Sequence, residues 1–148
     1  RMSEEKIVSV IRDFVEAYAR RDVEKTLSFL TEDVVWVAPE GTFKGKEEVK
    51  RFFTWLAQRT PDLRIRNAGI GILVKGNKAV YEYVFEGINA EGTKFEAHGI
   101  DIYEFSGEKI QQLRYLDDRL TIAKQVARGW FARKVVGLVV NRAEKGLH

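Results

Sequence analysis

The chain contains no cysteine, which removes disulfide frameworks, thiolate nucleophiles and thiolate metal sites together. Histidine is almost as scarce: His98 and the terminal His148 are the only two, so one chain cannot assemble a histidine-built metal centre. Acids are plentiful, yet none has the spacing of a calcium or magnesium loop, and neither metal nor cofactor is expected. No apolar run nears the length of a membrane span, and Met2 is not followed by the basic-then-apolar pattern of a secretion signal. A cytoplasmic location is the expectation. Repeats, low-complexity tracts and Pro/Gly/Ser linkers are also missing.

What is present is the composition of a globular domain, 45% hydrophobic and 32% charged over 148 residues. A chain of this length buries roughly two-thirds of the surface that its unfolded form exposes. The formal charge of +3 is concentrated near the end, where Arg128, Arg133, Lys134, Arg142 and Lys145 face one acid, Glu144. The remainder is close to neutral, so no extended basic face exists for nucleic acid.

Helical periodicity comes first along the chain. Ser3 followed by Glu4 and Glu5 reads as a helix start, and Ile7, Ile11, Phe14 and Tyr18 recur at helical spacing. A short helix is expected from Val23 to Leu30, then a strand over Val34 to Val37, broken by Pro39 and Gly41. Lys46 to Ala57 predicts a third helix with Val49, Phe52, Phe53 and Leu56 inward. Four strand-like segments follow, Leu63 to Val74, Ala79 to Gly87, Lys94 to Phe105 and Lys109 to Leu116, joined by Gly-Asn, Glu-Gly and Ser-Gly-Glu turns. Helices first and a meander afterwards indicate an α+β fold, with a mainly antiparallel sheet curved around the N-terminal helices.

The third of those segments carries the most information. Its odd positions read Phe95, Ala97, Gly99, Asp101, Tyr103 and Phe105, and on a strand they share one face. A lone carboxylate thus projects from an otherwise apolar or small surface, with Ala97 and Gly99 leaving space beside it. Buried without a partner, Asp101 would have a raised pKa and serve as hydrogen-bond donor or proton carrier. Hairpin register decides its surroundings. A two-residue turn at Gly107 and Glu108 would set Arg114 opposite Asp101 as an ion pair, whereas a three-residue turn would bring Tyr115 to the Asp101 face. On the other side, a two-residue turn at Glu91 and Gly92 would oppose Glu82 to Asp101, and a slip of one residue would place Tyr81, Tyr83 and Phe85 there instead. Apolar matching favours the aromatic register.

Arg-Asp at 21 and 22, Phe-Leu-Thr-Glu-Asp-Val at 29 to 34, Phe-Lys-Gly-Lys-Glu at 43 to 47, Gly-Ile-Asp-Ile-Tyr-Glu-Phe at 99 to 105 and Lys-Ile at 109 and 110 together resemble the SnoaL-like branch of the NTF2-like superfamily. The resemblance implies a cone-shaped fold over residues 3–125, with 126–148 a C-terminal amphipathic helical extension. It also implies a pocket between sheet and helices, commonly in a homodimer, and activities that range from polyketide cyclases to ketosteroid isomerases and limonene epoxide hydrolases. The isomerase positions hold Phe14, Ala38 and Asp101, of which only the aspartate is kept. The hydrolase positions hold Glu82, Val84, Tyr115, Trp36 and Ala38, without the required acids, and the cyclase aspartate of the last strand falls at Tyr115.

Two functional classes follow. One is a cofactor-free isomerase, cyclase or lyase acting on a small apolar molecule, with Asp101 as acid/base and Tyr115 as hydrogen-bond partner, and Glu82 and His98 as lesser candidates. Phe14, Tyr18, Trp36, Phe53, Ala97 and Gly99 would line its pocket, although the aromatics serve equally well as core. The other is a non-catalytic ligand-binding or assembly domain. His98 has the parity of the sheet's other face, which also carries Ile100 and Ile102 and suits a homodimer interface. The tail helix, apolar at Phe131, Val135, Val136, Leu138, Val139 and Ala143, would dock across the pocket mouth or a neighbouring subunit, lie on an anionic membrane surface, or recruit a partner.

Overall fold

The computed structural model describes residues 2–147. Its first helix, α1 (Glu4–Ala19), begins where Ser3 accepts a hydrogen bond from the Lys6 amide and buries Ile7, Val10, Ile11, Phe14 and Ala17. At its end the Asp22 amide donates to the Ala17 carbonyl and the Arg21 amide to the Tyr18 carbonyl, a Schellman closure. The residue at the left-handed position of that closure is not glycine but Arg21, with φ 61°, and no other described non-glycine residue has positive φ. Such a conformation costs a side chain about 1 kcal/mol. Asp22 then caps α2 (Val23–Ser28), which stops short of Leu30 because Leu30 already belongs to β1 (Leu30–Ala38).

Pro39 and Glu40 turn β1 back into β2 (Gly41–Lys44), a short strand that the sequence reading took as a break. Gly-Thr-Phe-Lys is too brief to show an alternation of its own. After α3 (Gly45–Arg59) come β3 (Asp62–Lys75), β4 (Lys78–Ile88), β5 (Lys94–Ser106) and β6 (Lys109–Asp117), then α4 (Arg119–Val126) and α5 (Gly129–Ala143). The sheet has six strands in the order β2-β1-β6-β5-β4-β3. All neighbours are antiparallel except β1 and β6, which run parallel, so the sheet is mixed and not purely antiparallel.

Two irregularities shape the sheet. In β3 the pairing jumps from Asn67↔Tyr83 to Ile72↔Tyr81, leaving residues 68–71 opposite Glu82 alone. Gly69 and Gly71 take φ of 50° and 63° in this bulge, where most side chains would be strained. In β6 the pairing changes between Phe105↔Ile110 and Glu104↔Gln112, so that Gln111 is an extra residue. The concave face packs on α1 and α3 through Phe14, Trp36, Phe53, Tyr103, Ile110 and Leu113. Phe14 and Tyr103 meet edge to face at 6.0 Å between ring centroids.

Candidate functional site

The odd positions of β5 face the concave interior, as alternation requires: Ala97, Gly99, Asp101, Tyr103 and Phe105 are all buried. Asp101 is 7% exposed and, with Thr26, makes up the buried polar residues of the interior. Its register partners are Tyr81 on β4 and Tyr115 on β6. On the β4 side the slipped, aromatic register is the one adopted, with Tyr83 over Gly99 and Phe85 over Ala97.

On the β6 side the route differs from the expectation while Tyr115 still arrives. The turn is the two-residue form, Gly107 and Glu108 between the pair Ser106↔Lys109, and on its own it would have placed Arg114 opposite Asp101. The extra residue Gln111 moves the register by one, so Arg114 pairs with Ile102 and is exposed on the outer face. Among the described residues no cation therefore braces Asp101.

Its partners are two tyrosines. The Tyr103 hydroxyl donates to Oδ2 at 2.6 Å and the Tyr83 hydroxyl to Oδ1 at 2.9 Å. Burial raises the Asp101 carboxyl from 3.8 to about 6, and the bonds from Tyr103 and Tyr83 to the ionised form hold it from going higher. At neutral pH it is therefore mostly a carboxylate, a base poised near neutrality, between the neutral acid expected of an unpartnered burial and the fully ionised one expected of an ion pair. Burial pushes the Tyr83 and Tyr103 phenols well up, Asp101 adding to the effect, so both remain protonated donors.

Asp101, Tyr83 and Tyr115 lie in the wall of a cavity of about 370 Å³ between sheet and helices. Phe14, Tyr18 and Trp36 line it from α1 and β1, and Phe85 and Leu113 from the sheet. Of the other expected lining residues, Phe53 is buried in the core, while Ala97 and Gly99 lie outside the lining. The space that Gly99 leaves is taken by protein: a β-carbon there would stand 2.5 Å from Tyr83 Cε2. The small residue lets the Tyr83 ring lie low enough for its hydroxyl to reach Asp101.

A second polar group lies along the same cavity. The Tyr115 hydroxyl donates to Asp117, whose carboxylate accepts from Arg119 Nε at 3.1 Å and Nη2 at 3.0 Å; Arg119 Nη2 also meets Glu40 at 2.9 Å. Burial and the Asp117 charge drive the Tyr115 phenol far up, so it keeps its proton. The Tyr115 proton thus goes to Asp117 and not to Asp101. This chain ties the β1–β2 turn to the start of α4, which Asp118 caps by accepting from the Thr121 amide. Further along α4, Gln125 exchanges hydrogen bonds of 2.7 and 2.8 Å with the Glu96 backbone. Ile122, Ala123 and Val126 are thereby laid over the cavity.

Glu82 and His98 are not in this assembly. Glu82 points away from Asp101 and accepts from the Ile70 amide at 2.8 Å, plugging the β3 bulge. His98 pairs with Val84 on the outer side and is exposed. Nor does α5 contribute to the cavity lining. It leaves Trp130 74%, Phe131 72% and Leu138 61% exposed, and Val140 is its one buried residue. The residues that the sequence reading missed are Tyr83 and Tyr103 as partners of Asp101, the Glu40–Asp117–Arg119 group, and Arg21 at the cavity's edge. Tyr103 carried a signal, since it shares Asp101's face two residues on. The ion pairs join separate loops and carried none.

Among the described residues no three His, Asp or Glu side chains are grouped to hold a metal ion, and no helix is long and apolar enough to cross a membrane. The SnoaL-like domain family model matches residues 11–113, and the chain belongs to that family. Solved structures repeat the fold at low sequence identity. An NTF2-like protein of unknown function from Burkholderia pseudomallei is 19% identical with a TM-score of 0.75, covering 86% of this chain and 100% of that one. A putative SnoaL-like polyketide cyclase from Jannaschia is 12% identical with a TM-score of 0.76, over 88% and 99% of the two chains. TerC, co-crystallised with polyporic acid, is 19% identical with a TM-score of 0.73, over 83% and 99%. No curated protein matches the sequence.

Proposed function

We propose that the cavity binds a small, largely apolar carbonyl compound and that Asp101 moves a proton on it without a cofactor, in isomerase, cyclase or lyase chemistry. The observation that carries this reading is a carboxylate in the wall of a largely apolar cavity, unbraced by any cation among the described residues and held by burial at a pKa of about 6. A base with that pKa accepts a proton from an acidified carbon and returns it at neutral pH. In the step proposed, Asp101 takes a proton from the carbon next to the carbonyl, the electron pair moves to the carbonyl oxygen as enolate, and return of the proton to another position completes an isomerisation. Tyr83 and Tyr103 hold the carboxylate in place, and Tyr115 borders the substrate across the ladder from Asp101. The fold shared with a putative SnoaL-like polyketide cyclase and with TerC co-crystallised with polyporic acid supports a pocket for such compounds.

The test is proton exchange into candidate carbonyl compounds in deuterated water, followed by NMR. Wild-type protein is expected to exchange the carbon-bound proton and Asp101→Asn to lose that exchange while retaining fold and ligand. Equal exchange by the two proteins would refute the assignment.

A non-catalytic ligand-binding or assembly domain is the second reading, favoured by the apolar surface left uncovered. Ile70, Leu73, Ile100 and Leu116 are exposed on the chain. We propose a homodimer that covers the sheet's outer face, with α5 against the neighbouring subunit, in a cytoplasmic protein. Sedimentation equilibrium tests this, with a monomer across the micromolar range as the contrary result.

A further inference from the structure

Arg21 occupies a position that glycine would fill without strain, and its side chain explains why a larger residue stands there. The guanidinium reaches across to the end of α3, where Nε and Nη2 both donate to the Thr60 carbonyl, at 3.0 and 2.7 Å. That fork fixes the group in the cavity wall, beside the Tyr18 ring, with Cζ 5.0 Å from the ring centroid. Burial pushes the Tyr18 phenol up while the neighbouring Arg21 guanidinium pulls it down. The third nitrogen of Arg21, Nη1, is buried and makes no hydrogen bond of good geometry among the described residues, the Tyr18 phenol being a further polar neighbour of the guanidinium, and no described acid forms an ion pair with it. Trp36 Nε1 is a second buried donor without a partner, its ring 6.0 Å from that of Tyr18.

Arg59 adjoins this place. It precedes Thr60, is itself exposed, lines the same cavity with Cζ 5.0 Å from the Trp55 ring centroid, and has no acid partner among the described residues. The third cavity arginine, Arg119, is already neutralised by Asp117 and Glu40. A half-buried guanidinium held in a cavity wall without a counter-charge is a ready partner for a ligand that supplies one.

We propose that the cavity takes a flat apolar ligand bearing an anionic oxygen group, a carboxylate or an ionised enol, which lodges against Arg21 with Arg59 at its margin. This deepens the pocket reading above and rests on it. The ligand's ring system lies among Phe14, Tyr18, Trp36 and Phe85, and its charged end at Arg21 orients the rest toward Asp101.

The probes are 9-anthracenecarboxylate and the neutral 9-anthracenemethanol, titrated by fluorescence into the full chain at pH 8. The carboxylate is expected to bind about tenfold or more tightly than the alcohol, the scale of one hydrogen bond to a charged group. In Arg21→Gly, whose backbone suits φ 61°, the preference for the carboxylate should be lost, the two probes binding within about twofold of each other. Arg21→Asn, which also tolerates that backbone, is the second variant. Equal binding of the probes by wild type, or a preference that survives both variants, overturns the anionic assignment alone. Failure of both probes to bind wild type overturns the pocket reading and this inference with it.

Discussion

Tyr103 donates a 2.6 Å hydrogen bond to Asp101 from two residues further along the same strand, so β5 supplies both the acid and its closest stabilising donor. Because that bond favours the ionised carboxylate, removing it must raise the pKa. A carbon-13 titration of the Asp101 carboxyl should show a midpoint near 6 in wild type, and Tyr103→Phe and Tyr83→Phe should each move it upward. A downward movement in either variant would contradict the arrangement.

The same carboxyl links stability to pH. Its folded pKa of about 6 exceeds the unfolded value of 3.8, so the native state holds the proton more tightly. The contribution of Asp101 to stability is therefore most favourable below about 4 and is lost as pH rises through 6, a change of about 3 kcal/mol. Asp101→Asn should gain on wild type across that window. Urea denaturation of both proteins at pH 4 and pH 8 measures the difference, and a constant gap would disprove the linkage.

Gly99→Ala places a methyl 2.5 Å from Tyr83 Cε2 and 2.6 Å from Cζ. The ring must move, at a cost of roughly 1–3 kcal/mol, and its hydroxyl then leaves Asp101. Thermal melting should register the loss, and the carboxyl titration should resemble that of Tyr83→Phe.

Glu82→Gln keeps an acceptor for the Ile70 amide, whereas Glu82→Ala leaves that amide to solvent in the β3 bulge. The alanine variant should lose about 1 kcal/mol of stability, with faster hydrogen exchange at Ile70, and the glutamine variant less. Proton exchange into substrate should be unchanged in both, because Glu82 lies on the face away from Asp101.

Much of this was legible. Strand parity alone put Asp101 inward, and the aromatic pattern Tyr81, Tyr83, Phe85 matched the small residues Ala97 and Gly99 well enough to choose between registers. The β6 register was harder to read. Its clue was the spacing of Ile110 and Leu113, both buried though three residues apart, which a regular strand cannot achieve. The parallel pairing of β1 with β6 carried no local signal, since it depends on where the chain returns after five further elements of structure. The charge of Asp101 stayed open in the sequence for a different reason. Parity puts Asp101 and the two phenols on one face, but does not say which hydroxyls reach the carboxylate and keep it from full neutralisation.

The Gln111 bulge has a consequence larger than its size. Without that residue the β5–β6 hairpin would close with Arg114 facing Asp101, and a guanidinium so placed would hold the acid ionised far below neutrality as an inert brace. With it, every side chain of β6 beyond the bulge changes sides, and the acid faces a phenol. Whether this interior is equipped for proton traffic or merely reinforced is thus decided at a remote position by a residue count, a kind of switch that a one-residue deletion would throw while leaving all of the site's own side chains in the sequence.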